Sequence, residues 1–324
     1  MATRVACLSP YSEDIVRAFF GGRHAVEVVL VPEPPAPDKV REAVADADLV
    51  VGDKRHKHRI DRPVLEAMRR CRLIQQPAVG FDVIDHRAAA EVGIPVANAA
   101  GYNRDAVADW TLMAILNLIR RGAWGDRRMR DGGWPKPDML GHELGGLTVG
   151  IIGLGNVGSA VAQRLAAFGT SVVFTDVVPR TFPGARSVSL QELVSQADVV
   201  CVHTYLDDST RPLVNAQVLS AMRPGAILVN AARGPIVDEQ ALVESLQSGH
   251  LGGAGLDVFE EEPLALDSPL RQMENVFMSP HIAGSTEEAE ARLLQVVGTN
   301  LLRVLDGETP VNVVNGVTAA RVSA

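Results

Sequence analysis

Short apolar runs alternate with amphipathic stretches along most of the chain, the spacing of parallel strands joined by helices. In the first third, the runs at 28–31, 49–51, 73–75 and 95–97 predict strands. Stretches at 13–20, 37–45, 62–70 and 85–91 predict the helices between them, and Val92-Gly93-Ile94-Pro95 punctuates the end of that unit. Asn103 stands where it can cap a long helix over 104–121, apolar around most of its circumference through Val107, Trp110, Leu112, Met113, Ile115, Leu116, Leu118 and Ile119, and ended by Gly122. Such a helix is expected to be buried on several sides, between domains or at a subunit contact. The segment 124–146, rich in glycine and charge with two prolines, predicts an extended loop, and loops of that length usually have a job.

From Leu147 a second unit of the same kind begins. Its predicted strands lie at 148–152, 171–175, 199–203, 227–230, 255–258 and 276–279, and a final helix is predicted over 287–304 with a tail that returns to the first unit. No internal repeat or low-complexity tract interrupts the pattern. The expected fold class is therefore α/β, and 324 residues exceed what one core usually holds, so two domains are expected.

Composition narrows the function classes. A net charge of −8 with only 4% aromatic residues offers neither a phosphate-backbone footprint nor a base-stacking surface, so nucleic acid is not an expected partner. No apolar run reaches the ~20 residues that span a bilayer, and the start lacks a signal-peptide segment, so no membrane contact and a cytoplasmic location are expected. Cys7, Cys71 and Cys201 are scattered in apolar surroundings without CxxC spacing and are read as reduced core residues. Nothing in the chain has metal-ligand spacing.

The chemistry concentrates in the second half. Gly153-Leu154-Gly155-Asn156-Val157-Gly158 follows a strand and opens a helix predicted over 159–168. In that context the three glycines permit a tight turn, close approach of a pyrophosphate and close helix–strand packing, with the helix N-terminus facing the phosphates. The next strand ends in Asp176, eighteen residues after Gly158, where a carboxylate can accept both ribose hydroxyls and repel a 2′-phosphate. NAD is therefore expected over NADP, with Arg180 four residues on as a softening influence. Three further turns each follow an apolar run: Ala231-Ala232-Arg233-Gly234, Asp257-Val258-Phe259 running into Glu262-Pro263, and Ser279-Pro280-His281. They supply a fixed cation, a carboxylate and an imidazole, the set needed to move a hydride at a carbon beside a carboxylate. Taken singly, each has a plain alternative: Arg233 a strand-end salt bridge, His281 a loop histidine and Asp257 a structural acid. Their company with a dinucleotide loop favours the catalytic reading.

Together the glycine motif, Asn-Ala-Ala-Arg-Gly, Gly-Ala-Gly-Leu-Asp-Val-Phe-Glu-Glu-Glu-Pro and Ser-Pro-His-Ile-Ala-Gly-Ser resemble the D-isomer-specific 2-hydroxyacid dehydrogenase family, nearest in pattern to its phosphoglycerate dehydrogenase branch. The resemblance covers nearly the whole chain. It implies two Rossmann-like domains of parallel sheets flanked by helices, with an NAD-binding domain at 99–285 inserted in a discontinuous substrate domain at 1–98 and 286–324. It implies that Arg233 binds the substrate carboxylate and polarises the carbonyl, that His281 is the acid/base at the C2 oxygen, and that Glu262 orients and charges His281. Glu260 and Glu261 are left to solvent. The cofactor residues it implies are Gly153, Gly155, Asn156, Val157, Gly158, Asp176, His203, Thr204, Ala231, Ala232, Arg233, Asp257, His281 and Gly284, with Asp257 and the Ala231 backbone on the nicotinamide carboxamide. Val79, Gly80 and Asn103 join Arg233 and His281 on the substrate side, and a homodimer is implied.

The chain departs from the family in two places. Thr204-Tyr205-Leu206-Asp207-Asp208 lacks the proline of the usual Pro-Leu-Thr-like loop under the adenine, and Asp109-Trp110 stands where glutamate with histidine or leucine is usual. The chain ends at Ala324 without the regulatory domains of many phosphoglycerate dehydrogenases, so serine feedback through such a domain is not expected. Lys54-Arg55-His56-Lys57-His58-Arg59 is a basic run in an acidic chain, and counting back from Asp82 puts Arg55 where that branch carries a phosphate-binding arginine. A substrate with a second anionic group, phosphate, phosphonate or carboxylate, is therefore expected, against the plain alternative of a solvated basic loop. The rival readings are a glyoxylate/hydroxypyruvate-type reductase, for which the run is incidental, and an NAD(H)-sensing interaction module like the related corepressors.

Overall fold

The uninterrupted apolar runs become strands covered on both faces. Leu49–Val51, Leu73–Gln75, Val199–Val202 and Gly253–Leu256 are buried at every position, as central parallel strands must be. The computed structural model describes residues 2–31 and 37–318; the last six residues of the tail predicted at 286–324 lie outside them. Its first part runs β1 (Thr3–Cys7), α1 (Glu13–Ala18), β2 (Val26–Leu30), α2 (Pro37–Val44), β3 (Leu49–Val51), α3 (Arg62–Ala67), β4 (Leu73–Gln75), α4 (His86–Glu91) and β5 (Val96–Ala97). The middle runs α5 (Arg104–Arg120), α6 (Gly122–Arg130), β6 (Thr148–Ile152), α7 (Asn156–Ala167), β7 (Ser171–Thr175), β8 (Ala185–Ser187), α8 (Leu190–Gln196), β9 (Val199–Val202), α9 (Ala216–Ala221), β10 (Ile227–Asn230), α10 (Glu239–Gln247), β11 (Gly253–Leu256) and β12 (Val276–Met278), and α11 (Glu287–Leu305) closes the sequence of elements.

Two compact units result: the described residues up to Asn103 together with those from Glu287 onward, and Arg104–Thr286. The first holds a five-stranded parallel sheet in the order β2-β1-β3-β4-β5. One of its apolar layers joins Val5, Cys7, Leu49, Val51 and Leu73 to Leu293, Val297, Leu301 and Val304 of α11. Beyond α11 the chain returns to the sheet edge, where Val313 bridges Ala97 antiparallel. The second unit holds a seven-stranded parallel sheet in the order β12-β11-β10-β9-β6-β7-β8. Strand order reverses between β6 and β9, the doubly wound arrangement whose ligand crevice lies at the carboxyl ends of the strands.

Side-chain caps begin most of the helices. Ser12, Asp61, Asp85, Ser189, Asn215 and Asp238 each accept an N–H from the first turn of the helix they precede. Helix α7 begins at Gly155 with no side-chain cap. It starts at Asn156, three residues before its predicted start, because the last glycine of the motif lies inside the first turn rather than ahead of it.

The segment expected to be an extended loop is a correction. Residues 122–130 form α6, followed by short 3-10 turns at Lys136–Asp138 and Leu144–Gly146. Gly125, read as a breaker, serves packing instead: a Cβ there would run into the Met139 thioether at 2.7–2.8 Å. An Asp126–Arg130 pair one helical turn apart, at 2.8 Å, supports the exposed face. Helix α5 is buried on several sides, as expected: Ala108, Ala114 and Ile115 are fully covered and it packs against both α7 and strands β10 to β12, while Met113 is exposed. Strands β1 and β8 were not among the predicted ones, and β11 ends at Leu256, so Asp257 and Val258 lie beyond it.

Candidate active site

Every reactive residue singled out in the second unit sits just past the carboxyl end of a strand. The glycine loop leaves β6, Asp176 leaves β7, His203 and Thr204 leave β9, Ala231 to Arg233 leave β10, Asp257 to Glu262 leave β11, and Ser279 to Gly284 leave β12. Parallel strands in register bring these six ends to one rim of the sheet.

At the β6 end the residues fit a dinucleotide. A Cβ at Gly158 would collide with the Gly153 carbonyl, so only glycine lets α7 sit this close to the strand. A Cβ at Gly155 would meet nothing within 4 Å, which leaves room over the uncapped start of α7. A pocket of about 320 Å³ opens there, lined among others by Leu154, Gly155, Asn156, Arg180 and Tyr205. Asp176 ties the cradle together: its Oδ2 accepts from the Leu154 N–H at 2.8 Å and from Arg180 Nε at 3.1 Å, and its Oδ1 accepts from the Val178 N–H at 2.9 Å. Burial pushes this carboxyl up, but the two backbone N–H groups and the Arg180 cation outweigh it and hold it below the ordinary aspartate value. His203 Nε2 is shut from solvent with no hydrogen-bond partner among the described residues, and burial holds its pKa down to about 4.

The turns after β10, β11 and β12 are built by buried polar side chains that satisfy one another's backbone. Asn230, 1% exposed, accepts from the Ala232 N–H and donates to the Arg233 carbonyl, both at 3.0 Å, fixing the turn that carries Arg233. Arg233 is extended (φ −146°, ψ 140°), and its Nη1 donates to the Ala232 carbonyl at 2.8 Å. A Cβ at Gly234 would overlap the Phe259 carbonyl, so glycine is what allows the Arg233 turn to press against the loop leading to Glu262. Asp257, also 1% exposed, accepts from Ser279 Oγ (2.5 Å), the Ile282 N–H (2.8 Å) and the Ala283 N–H (2.8 Å), while its carbonyl takes the His281 N–H at 2.8 Å. This clasp holds His281 at φ 55°, a left-handed conformation uncommon for a side-chain-bearing residue.

The outcome is a dyad. His281 Nδ1 lies 2.7 Å from Glu262 Oε2, and the other oxygen of Glu262 accepts from the Phe259 N–H at 3.1 Å. Burial raises the Glu262 carboxyl, yet the hydrogen bond and charge of His281, the Phe259 N–H and the Arg233 charge together bring it below the ordinary glutamate value. Glu262 is thus within electrostatic reach of both Arg233 and His281. With Nδ1 given to a carboxylate, Nε2 is the ring nitrogen left to exchange a proton.

Within the first unit, the substrate-side residues occupy three segments. Val79 and Gly80 follow β4 on a loop held by Asn98, 2% exposed, whose Nδ2 donates to the Val79 carbonyl at 2.7 Å. Asn103 lies in the turn that precedes α5. The basic run after β3 is folded around an acid that the sequence reading passed over. Asp53, 1% exposed, accepts from the backbone N–H groups of Arg55, Lys57 and His58 at 2.9–3.0 Å and meets His58 Nδ1 at 2.9 Å. Burial raises its carboxyl and these donors more than reverse the effect. Lys54 pairs with Glu290 at 2.9 Å and His56 faces Asp82 at 3.6 Å, so with His58 at least three of the six basic or titratable residues have carboxylate partners. Arg55 itself is exposed.

Cys7, Cys71 and Cys201 are buried and free of disulfides. No described helix is long and apolar enough to cross a membrane.

Residues 112–283 match the family described as D-isomer specific 2-hydroxyacid dehydrogenase, NAD binding domain. A glyoxylate reductase of Thermofilum pendens is 38% identical over 291 residues, covering 87% of this chain and 85% of the relative. An (S)-sulfolactate dehydrogenase of Chromohalobacter salexigens is 40% identical over 257 residues, covering 78% and 83%. Among solved structures, the TT0316 protein of Thermus thermophilus superposes with a TM-score of 0.85 at 38% identity, over 96% of this chain and 100% of that one.

Proposed function

We propose, from the premise that the chain belongs to the D-isomer-specific 2-hydroxyacid dehydrogenase family, that Arg233, Glu262 and His281 carry its reaction on a D-2-hydroxy acid or 2-keto acid with a second anionic group. NAD, when bound, supplies or takes the hydride at C2. Gly153, Gly155, Asn156, Val157 and Gly158 hold its pyrophosphate against α7, with Asp176 at the ribose, and the ends of β9 to β12 complete its site. Arg233 holds the substrate carboxylate with the two-pronged face of its guanidinium, and so fixes which face of C2 is presented. In reduction His281 Nε2 gives a proton to the oxygen at C2, and in oxidation it takes that proton back. Glu262 keeps Nδ1 protonated and stabilises the imidazolium that holds the proton. Asp257 acts through His281, by fixing the turn on which it stands.

The single observation carrying this reading is the 2.7 Å pair between His281 and Glu262, on a loop packed against the Arg233 turn. On the first unit, Arg55 is proposed for the second anion and Val79 and Gly80 for the substrate carboxylate, each from its own loop. A specific observation supports the glyoxylate-type alternative as well: at least three members of the basic run, Lys54, His56 and His58, are answered by carboxylates of the same unit, as a small monoanionic substrate would permit. Turnover measured on glyoxylate, hydroxypyruvate, 3-phosphoglycerate and sulfolactate, each with the NAD and NADP forms of the cofactor, separates the two. The leading reading requires the dianions to give the higher kcat/KM. A cytoplasmic homodimer is part of the proposal. Three buried thiols suit a reducing compartment, and Trp134 and Leu140, 75% and 92% exposed beyond α6, suit a subunit contact; light scattering of the purified protein tests the dimer.

A further inference from the structure

We propose that Tyr205 is the platform on which the adenine ring of the dinucleotide lies. The inference rests on reading the β6–α7 cradle as the dinucleotide site and adds to it a residue that the family pattern does not supply. Strands β6 and β9 are neighbours in register, Ile152 opposite Val202, so the glycine loop and the loop of Tyr205 leave the sheet side by side. A dinucleotide with its pyrophosphate on α7 and its ribose at Asp176 leaves its base to the loops beyond β7 and β9. Those loops contribute Phe182 and Tyr205 to the same pocket as Leu154, Gly155 and Asn156. Phe182 is partly buried against the apolar core, whereas Tyr205 is 57% exposed.

The exposure of Tyr205 is held in place by its own loop. Thr210 Oγ1 donates to the Tyr205 carbonyl at 2.9 Å and accepts from the Asp207 N–H at 2.8 Å. Asp207 Oδ1 in turn accepts from the N–H of Ser209 at 2.8 Å and from its hydroxyl at 2.6 Å. An ordered loop therefore presents an aromatic face to water beside a pocket instead of folding it into the core. At this end of the dinucleotide the purine has the flat face to match, and covering the ring with it removes apolar surface of both from water. The phenol hydroxyl plays no part in this; the ring face does.

Calorimetric titration of the intact protein with NADH, with AMP and with reduced nicotinamide mononucleotide tests the proposal without reference to turnover. Tyr205→Ala is expected to weaken both NADH and AMP by roughly tenfold, as loss of one base–aromatic stack does, and to leave the mononucleotide unchanged. Tyr205→Phe, which keeps the face, is expected to bind all three like the wild type. Unchanged AMP affinity in Tyr205→Ala, or an equal loss in Tyr205→Phe, overturns the platform while the dinucleotide site stands. A wild-type protein that binds neither NADH nor AMP defeats the underlying site, and the platform with it.

Discussion

Two charged regions of this molecule spend their charge in opposite ways. At the ends of β10 to β12, buried Asn230 and Asp257 satisfy the backbone of the turns, so Arg233, Glu262 and His281 are left to act on one another. After β3, the acid at the centre of the loop binds the backbone and one imidazole of the basic run itself, and further acids from elsewhere in the same unit answer two more of its members. The candidate site places much of its structural hydrogen bonding on residues other than the three proposed to react. In the basic loop the two are merged, and a run that looks strongly cationic in sequence is much less so in three dimensions.

The comparison breaks most visibly at His281. His281→Ala or Arg233→Ala should lower turnover by roughly 10²–10⁴-fold while NADH still binds; a near-normal rate in either variant would return these residues to a structural role. The loop after β3 should instead answer in stability. Asp53→Asn is expected to cost about 1–3 kcal/mol, the usual penalty for unsettling a buried charged hydrogen-bond group, read from the denaturant midpoint. An unchanged midpoint would mean that the basic run is merely solvated.

Arg55→Ala sharpens the contrast, since Arg55 is an exposed member of that loop, as are Lys57 and Arg59, and is the one proposed for a second anion. Its KM for 3-phosphoglycerate or sulfolactate should rise about tenfold, the worth of a charged hydrogen bond, with little change for glyoxylate. Equal effects on all substrates favour the glyoxylate-type reading. The smallest expected effect is on the acid limb of stability. Glu262 and Asp53 both have folded pKa values below their ordinary ones. Each therefore contributes stability that is complete above the ordinary carboxylate range and is lost as pH falls through the lower folded value. Glu262→Gln and Asp53→Asn should each flatten that limb in a pH series of thermal melts, and limbs identical to the wild type would remove the electrostatic half of the comparison.

Much of this was legible in the sequence because parallel strands write themselves as plain apolar runs. Leu49–Val51 and Leu73–Gln75 begin and end where the pattern puts them, and the turns that follow such runs hold the residues proposed to react. What stayed hidden depends on partners far away in the chain. Lys54 reads as part of a free cationic run until Glu290 arrives from 236 residues on. Gly125 reads as a helix breaker because nothing local announces that the Met139 side chain needs its space. Asn230 is a single polar residue at the end of an apolar strand, and only the folded turn reveals that both ends of its amide are in use. Asp257 reads as a cofactor ligand from the family pattern, whereas its surroundings give it first the task of holding His281.

The return of α11 to the first sheet sets an order of events during synthesis. Leu293, Val297, Leu301 and Val304 cover Val5, Cys7 and Leu49, and Asn300 binds Gln75 and both backbone groups of Val311. A nascent chain therefore carries its opening strands half-clothed until nearly the last helix has left the ribosome, while the middle unit already has every strand it needs.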